Sequence, residues 1–460
     1  MNLLDASDPR PIHFVGIAGA GMSALAELFI LRGATVTGCD ANADNAPDLV
    51  ARGIPVVQGH SPEHVAGVRA LVVTSAMKKD HPELQRAREL GLPVIRRAEA
   101  LGDATRDTML VGVAGTHGKS TTTVLTTEAL ASSGHNPTGY VGARVGAWNG
   151  NLRAGSAEQF VVEADEYDRS FLALAPTVAV VTNIEADHLD IYADLDDIRR
   201  TFAQYISGAR FVVLCADDHE ANRLPTSASA EVIRYGIDSP DARLLATDLR
   251  REGIGTRFDV VYDGESLGSV FLPVPGRHNV LNTLAALAAG LALGSTVPDM
   301  AIGIGGFKGV ERRFQVLGEA HGVLVVDDYA HHPTEVRATI RAARAAAPDR
   351  RLVIAFQPHL YSRTRDFAVE FAQVLAEADV VCLLDVYPAR EQPIAGVTSA
   401  LIGDAMARFG RPPVWMGAQW ALADVLSGLV RTDDLVITMG AGDVTRVGPE
   451  LLAALNHDSP

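Results

Sequence analysis

The chain has 460 residues, too many for one hydrophobic core and enough for about three domains of roughly 150 residues each. Apolar residues make up 47% and charged residues 21%, and no tract is of low complexity or repeated at solenoid periods, so disordered and repeat architectures are excluded. The formal charge of −16 opposes nucleic acid, and any anionic ligand must be held by local basic groups and helix N-termini.

Cys39, Cys215 and Cys382 lie far apart without CxxC spacing. That pattern reads as buried small hydrophobes in a reducing cytoplasm and argues against both a disulfide framework and a zinc site. The acidic start MNLLDASDPR lacks the basic and apolar regions of a signal peptide, and the longest apolar segment, LAALAAGLAL from Leu284, is too short to span a bilayer. A soluble, unprocessed cytoplasmic protein without membrane insertion is expected.

In chain order, Pro11–Val15 reads as a strand entering GIAGAGMSALAELFILRG, whose apolar residues recur at three and four and predict a helix closed by Gly33. TVTGCD follows as a strand ending at Asp40. Such a βαβ start binds nucleotides in Rossmann folds, but the GxGxxG fingerprint is broken because Ala18 replaces the middle glycine between Gly16 and Gly21. Two readings stay open for these residues: NAD binding with Asp40 at the ribose, and a turn that serves packing alone. IPVVQ, ALVVTSA and LPVIR continue an open α/β sheet to about residue 105.

A second α/β unit opens with the strand TMLVGV, the turn GVAGTHGKSTTT (Gly112 to Thr123) and a helix ending near Gly134. Strand, glycine-rich turn and helix aim backbone N–H groups and the positive helix end at an anion, with Lys119 on the outer phosphates and the Ser120 hydroxyl on Mg²⁺. ATP or GTP is the expected ligand. The fit to GxxxxGK[ST] is imperfect, since Val113 stands where the first glycine belongs. Two acidic clusters follow strand ends: Glu163, Asp165, Glu166 and Asp168 after FVV, and Glu185, Asp187, His188 and Asp190 after VAVVTN. Ligands of open α/β sheets bind at the carboxyl ends of strands, and Mg²⁺ takes one or two carboxylates. Glu163 and His188 are therefore expected on the metal, and Glu166 and Asp190 as solvated acids.

Strands and turns dominate from about 230 to 275, and VPGRHNVLN then opens a helix whose Asn279 and Asn282 suit an adenine or ribose edge, or merely cap it. Glycines between 303 and 309 read as a hinge before Arg312 and Arg313, a basic pair suited to a γ-phosphate. VLVVDD, RLVIAF, VVCLLDV and LVITMG alternate with helices in a third α/β domain. It carries Asp328, His331 and His332, and later His359, Arg363 and Arg365, whose guanidinium groups suit a small carboxylate. The HHP pair lacks the spacing of a metal site.

Together GIAGAGMS, GTHGKS, VEADEYDRSF, TNIEADHLDIY, GRHNVLN, RRFQ, DDYAHHPTE, QPHLYSRTRD and LLDVYPA resemble, in order, the motifs of the Mur ligases, and within them the branch that adds L-alanine to UDP-N-acetylmuramate. The resemblance implies an α/β protein of three-domain Mur ligase architecture: a Rossmann-like UDP-sugar domain at 1–106, a central P-loop ATPase domain at 107–311 and a Rossmann-like amino-acid domain at 312–460. It implies an ATP-dependent ligase with Mg²⁺, acting through an acyl phosphate in peptidoglycan precursor synthesis, as a monomer or homodimer. The ligase that attaches a preformed tripeptide to the same sugar nucleotide is the alternative.

By the same resemblance Gly19, Ala20, Gly21, Met22 and Ser23 approach the UDP pyrophosphate, and Asp40 and Ser75 the ribose and uracil. Gly115, Thr116, His117, Gly118, Lys119, Ser120 and Thr121 hold ATP, Ser120, Glu163 and His188 the metal, and Asn282, with Asn279, the adenine. Arg313 and Asp328 lie at the ribose and phosphates, His359 and Arg363 at alanine, and His188 or His332 accepts the ammonium proton. The later ligases of the family carry a carbamoylated lysine after the DH histidine, but this chain has no lysine between Lys119 and Lys308. Leu360 stands where the family often has arginine, and Gly142 with Ala143 replaces a glycine pair.

Overall fold

The computed structural model describes residues 3–4, 7–74, 77–78, 80–188, 191–389 and 391–457, so Ser75 and Asp190 lie outside the described residues. The chain forms two compact units. One runs through Asp248 and takes in Phe258–Phe271 and Leu281–Lys308; the other comprises Leu249–Arg257, Leu272–Val280 and the chain from Gly309 onward.

The first unit opens with β1 (Ile12–Val15), β2 (Val36–Asp40), β3 (Val56–Gln58), β4 (Ala70–Val73) and β5 (Val94–Arg96), in the order 3-2-1-4-5 with every pairing parallel. This is the arrangement of a nucleotide-binding half-sheet. The helix Ala20–Leu31 ends as its sequence predicts, with Gly33 at φ +83° reversing the chain into β2.

Ten strands make the next sheet: β6 (Met109–Ala114), β7 (Thr138–Val145), β8 (Gly150–Arg153), β9 (Gln159–Glu163), β10 (Val178–Val181), β11 (Phe211–Cys215), β12 (Glu231–Gly236), β13 (Leu244–Glu252), β14 (Gly255–Tyr262) and β15 (Glu265–Leu272). Their order is 15-14-13-12-11-10-6-9-7-8. β6 runs parallel between β9 and β10, so the turns leaving these three strands converge on one edge. Val111, Val113, Phe160, Val161 and Val178 to Val181 are fully buried, as unbroken apolar strands covered on both faces must be. The antiparallel hairpin β7–β8 gave no sequence signal, because Gly142, Gly146 and Gly150 dilute its alternation.

In the second unit β16 (Gln315–Ala320), β17 (Val323–Asp328), β18 (Arg351–Phe356), β19 (Val380–Leu384), β20 (Trp415–Gly417) and β21 (Asp434–Met439) pair in the order 16-17-21-18-19-20. Only the β16–β17 pairing in this sheet is antiparallel. Among the described residues no helix is long and apolar enough to cross a membrane.

The expected glycine hinge divides into two roles. Gly309, at φ +87°, begins the last and longest segment of the second unit. Gly303, however, lies inside the helix Val297–Gly305, where a Cβ would overlap the carbonyl oxygen of Glu128 and come within 2.7 Å of Ser132 Oγ on the helix Lys119–Ser132. It is small so that two helices can touch. Gly303→Ala is expected to cost about 1–3 kcal/mol and lower the calorimetric midpoint. Gly305→Ala, whose nearest neighbour is 3.9 Å away, should change stability by less than about 0.5 kcal/mol; equal midpoints for the two would refute the close helix contact.

Candidate functional site

β6 delivers the chain into a turn that only glycine can make at two points: Gly115 has φ +137° and Gly118 +84°. A Cβ at Gly115 would overlap Thr182 Oγ1, and one at Gly118 would overlap Asn282 Oδ1, so Asn282 lies directly against the turn. The end of β10 clamps the loop. Asn183 accepts from Thr116 N through its carbonyl oxygen at 3.0 Å and from His117 N through Oδ1 at 2.8 Å, while Thr182 Oγ1 donates to His117 O at 2.6 Å. His117 Nε2 lies 3.5 Å from Glu185 Oε2. The helix Lys119–Ser132 starts here, with Ser120 and Thr121 buried in its first turn, and its free N–H groups and dipole face the space above the turn.

Lys119 Nζ donates to Gly115 O at 2.7 Å, to Thr116 O at 3.1 Å and to Glu166 Oε1 at 2.9 Å, with Oε2 at 2.8 Å. Glu166 is not the solvated acid its sequence suggested: it is 3% exposed. Asp168 and Arg169, at φ +53° and +55°, turn the chain back after it, and Tyr192 Oη donates to its carbonyl oxygen at 2.6 Å. Burial alone would discharge both partners, yet Glu166, with Asp165 and Glu163, outweighs it and holds the Lys119 ammonium above its ordinary value. Lys119 and His188 likewise outweigh burial at Glu166 and keep its carboxyl below the usual range.

Ser120 Oγ donates to Glu163 Oε1 at 2.7 Å, and Gly142 N donates to Glu163 Oε2 at 2.5 Å. Two of the three expected metal ligands therefore meet as adjacent hard oxygens. His188, at φ +54°, instead directs Nε2 toward Glu166 Oε1 at 3.6 Å. Burial opposes its protonation, but Glu166 and Asp187 raise its proton affinity.

The first glycine turn lies on the same unit. Asp40 braces it, accepting from Ala18 N at 3.0 Å and from Asn42 N at 2.9 Å. Gly19 and Ala20 are exposed, Ser23 Oγ donates back to Ala20 O, and Met22 is a core side chain at 3% exposure that can offer a ligand only its backbone. A Cβ on Gly21 would fall 2.5 Å from Arg97 Nη1. Tyr140 Oη donates to Gly21 O at 2.5 Å, and Arg97 reaches Tyr140 Oη at 3.5 Å and Asp165 Oδ2 at 3.8 Å. Arg97 thus joins this turn to the carboxylates beside the phosphate loop. No motif marks it, since RRAEA reads as an ordinary helix start.

In the second unit the expected residues gather at the carboxyl ends of β17 and β18. Asp328 accepts from Phe314 N, Ala330 N and Thr339 Oγ1 at 2.7, 2.8 and 3.1 Å, and burial pushes its carboxyl up to about 6. Arg313 lies over Tyr329 with Glu335 at 3.6 Å. Arg312 is held by its own unit: it donates to Gly440 O and Gly442 O at 2.6 and 3.1 Å and to Asp327 Oδ2 at 3.3 Å. His359 packs between His331 and Tyr387, Leu360 after it takes φ +69°, and Arg363 is buried. His332 caps the helix Pro333–Ala346, accepting from Thr334 N at 3.5 Å. Asn279, inside the first turn of the helix Arg277–Ala292, donates its amide to Pro275 O at 2.7 Å, a bond back to the preceding chain and not an N-cap.

A clamped phosphate loop beside a Rossmann-like half-sheet, with a further α/β unit, defines a multidomain P-loop α/β protein. Family models match three consecutive stretches: "Mur ligase family, catalytic domain" at residues 11–108, "Mur ligase middle domain" at 113–290 and "Mur ligase, glutamate ligase domain" at 312–442. The chain belongs to the Mur ligase family. It is similar to the UDP-N-acetylmuramate–L-alanine ligases of Salinibacter ruber (43% identical over 98% of this chain and 96% of that one) and Acidothermus cellulolyticus (45% over 99% and 98%). Among solved structures it is similar to the UDP-N-acetylmuramate-alanine ligase of Thermotoga maritima, with a TM-score of 0.84 at 27% identity over 98% of this chain and 100% of that one. It shares its fold with a murein peptide ligase of Psychrobacter arcticus, TM-score 0.70 at 23% identity over 98% and 100%. Family membership removes the dinucleotide reading of the first glycine turn.

Removing Lys119 strands a buried carboxylate. Lys119→Met is expected to lower unfolding stability by about 3 kcal/mol, and Glu166→Gln in that background to restore at least half of the loss. Denaturant unfolding checks this, and an unaltered midpoint in the single variant would show that the pair carries no such weight.

Proposed function

We propose that the chain is an ATP-dependent ligase that joins L-alanine to the lactyl carboxylate of UDP-N-acetylmuramate in peptidoglycan precursor synthesis. The observation that carries this reading is its similarity, over nearly the whole of both chains, to ligases named for that reaction. The division 1–106, 107–311 and 312–460 then separates the sugar-nucleotide, ATP and amino-acid modules of a cytoplasmic monomer or homodimer.

A lactyl carboxylate oxygen attacks the γ-phosphorus of ATP, the bond to the β-bridging oxygen breaks, and an acyl phosphate and ADP result. The alanine amine then attacks the carbonyl carbon and expels inorganic phosphate, its surplus proton passing to His332, because His188 is committed to Glu166. Two anions must meet in the first step, so catalysis rests on positioning and charge neutralisation. Lys119 is held charged by Glu166 and has only to swing to the outer phosphates, while the helix start receives the others. Ser120 Oγ and the Glu163 carboxylate form a hard-oxygen pair that fits Mg²⁺, which supplies further neutralisation of the phosphates when bound. Asn282, against Gly118, faces the nucleotide. Arg97 orients the sugar's carboxylate between the glycine turn and the phosphate loop. Arg313 and Asp328 serve the ribose and phosphates, and His359 and Arg363 hold the alanine carboxylate.

Phosphate release measured with UDP-N-acetylmuramate, ATP, Mg²⁺ and a panel of amino acids plus the tripeptide tests the reading. Release should require L-alanine and fall at least about 10³-fold in Lys119→Ala. Preference for the tripeptide would assign the chain to the recycling reaction, and failure to join any amine would overturn the ligase reading. Arg97→Ala should lower kcat/KM for the sugar nucleotide about 10–100-fold, the weight of one charged hydrogen bond, without changing the KM for alanine. An unchanged kcat/KM would remove Arg97 from the site.

A further inference from the structure

The opening sheet carries a second collection of ligating side chains, away from the phosphate loop. His13 alternates with Ile12 and Phe14 along β1, so it shares the face of Val15, which is covered by Leu84 and Ala87 of the helix Pro82–Glu89. On that face lie His13, Cys39 at the end of β2, His60 after β3, His64 in the turn Pro62–Val65, and His81 and Glu83 at the start of the helix. The Glu83 side chain is fully buried at their centre.

One ligand atom from each of His13, Cys39, His64 and Glu83 lies within 4.8 Å of all the others, and Glu83 also belongs to a group with His60 and His81. Cys39 Sγ lies 3.1 and 3.4 Å from the two Glu83 oxygens and 3.3 Å from His60 Nδ1. Glu83 Oε1 is 2.7 Å from His64 Nδ1, and Oε2 is 3.6 and 3.7 Å from the Nδ1 atoms of His60 and His81. Zinc bonds of about 2.0–2.3 Å at tetrahedral angles place neighbouring ligand atoms roughly 3.3–3.7 Å apart. Among His13, Cys39, His64 and Glu83, the Cys39–Glu83 separation already lies near that spacing, the 2.7 Å His64–Glu83 contact needs to open by about 1 Å or less, and His13 is within 4.8 Å of the other three.

Glu83 accepts from Cys39 Sγ and from Ser61 N at 3.2 Å, and two buried histidine nitrogens beside this network point to a cation. His13 is 2% exposed; its Nδ1 meets Thr37 Oγ1 at 3.0 Å, and its Nε2 is buried with no hydrogen-bond partner. A histidine whose one nitrogen is fixed by a neighbour and whose other is free is arranged as a metal ligand is arranged. His81 Nδ1 is likewise buried without a hydrogen bond. Loss of the Cys39 thiol proton to a bound ion would leave a thiolate that, with the Glu83 carboxylate, cancels a divalent charge, which a buried site requires, and the partly exposed His60, His64 and His81 offer a way in.

We propose that His13, Cys39, His64 and Glu83 bind one Zn²⁺ ion, with His60 and His81 on its outer side. Four protein ligands close the coordination shell, so the ion is structural: it staples β1 and β2 to the turn Pro62–Val65 and the helix Pro82–Glu89. Cys39 adjoins Asp40, which braces the glycine turn, so the staple stiffens the side of the sheet that this turn leaves.

Untagged full-length protein, stripped with a chelator and titrated in excess Mg²⁺ to occupy the hard-oxygen site, should take up one equivalent of Zn²⁺ and unfold at a higher temperature. Co²⁺ in its place should show a thiolate-to-cobalt charge-transfer band with the intense visible bands of tetrahedral cobalt. Cys39→Ser should abolish the charge-transfer band and weaken zinc binding at least about tenfold. Should that variant not fold, His64→Gln, at a more exposed ligand, should keep the band and lose affinity by a similar factor. Absence of stoichiometric uptake, a cobalt complex without the thiolate band, or a band that survives Cys39→Ser would each overturn the proposal.

Discussion

The buried pair of Lys119 and Glu166 is the interaction on which the rest of the central site depends. A lysine in a phosphate loop must stay charged without its ligand, and burial works against that charge. The fold answers with a carboxylate at 2.8 Å and two carbonyl oxygens of the loop itself. The cost appears in the backbone. Asp168, Arg169 and His188 all adopt positive φ in the segments that carry Glu166 and its neighbours, a strain that packing around Tyr192 holds in place.

A similar economy links the two sheets of the first unit. Gly21 lacks a side chain so that Arg97 can cross it, and Tyr140 closes the contact from β7 onto the Gly21 carbonyl. One arginine thereby touches both the turn expected to meet a sugar nucleotide and the acids beside the phosphate loop. In the proposed reaction, which joins two bound anions, such a shared cation would serve orientation and charge neutralisation together. Arg312 shows the contrast: also an arginine in a motif, it is tied to backbone carbonyls of Gly440 and Gly442 and serves architecture.

The cluster around Glu83 shows how far chemistry can be dispersed along a chain. Its four proposed ligands span residues 13 to 83, and no two of them lie closer than nineteen residues apart in the chain. Parallel pairing of β1, β2 and β3 sets their strand ends side by side, and the helix that follows β4 places Glu83 over them. The absence of CxxC therefore argued only against ligands that are neighbours in sequence.

What the sequence determined by itself were features written within one turn of chain. Apolar runs marked β6, β9 and β10, Gly33 marked a helix end, and GTHGKS marked the phosphate loop, because burial and backbone freedom are local demands. The ordered motifs extended this to the family, whose membership the whole chain bears out. Tertiary structure decided which charges are buried and which side chains meet. Glu166 looked like a solvated acid past a strand end, yet it is buried against Lys119, with the chain reversing just after it at Asp168 and Arg169. Arg97 and the Glu83 cluster were invisible for the same reason: pairing of strands distant in sequence supplies their neighbours, and periodicity carries no record of that pairing.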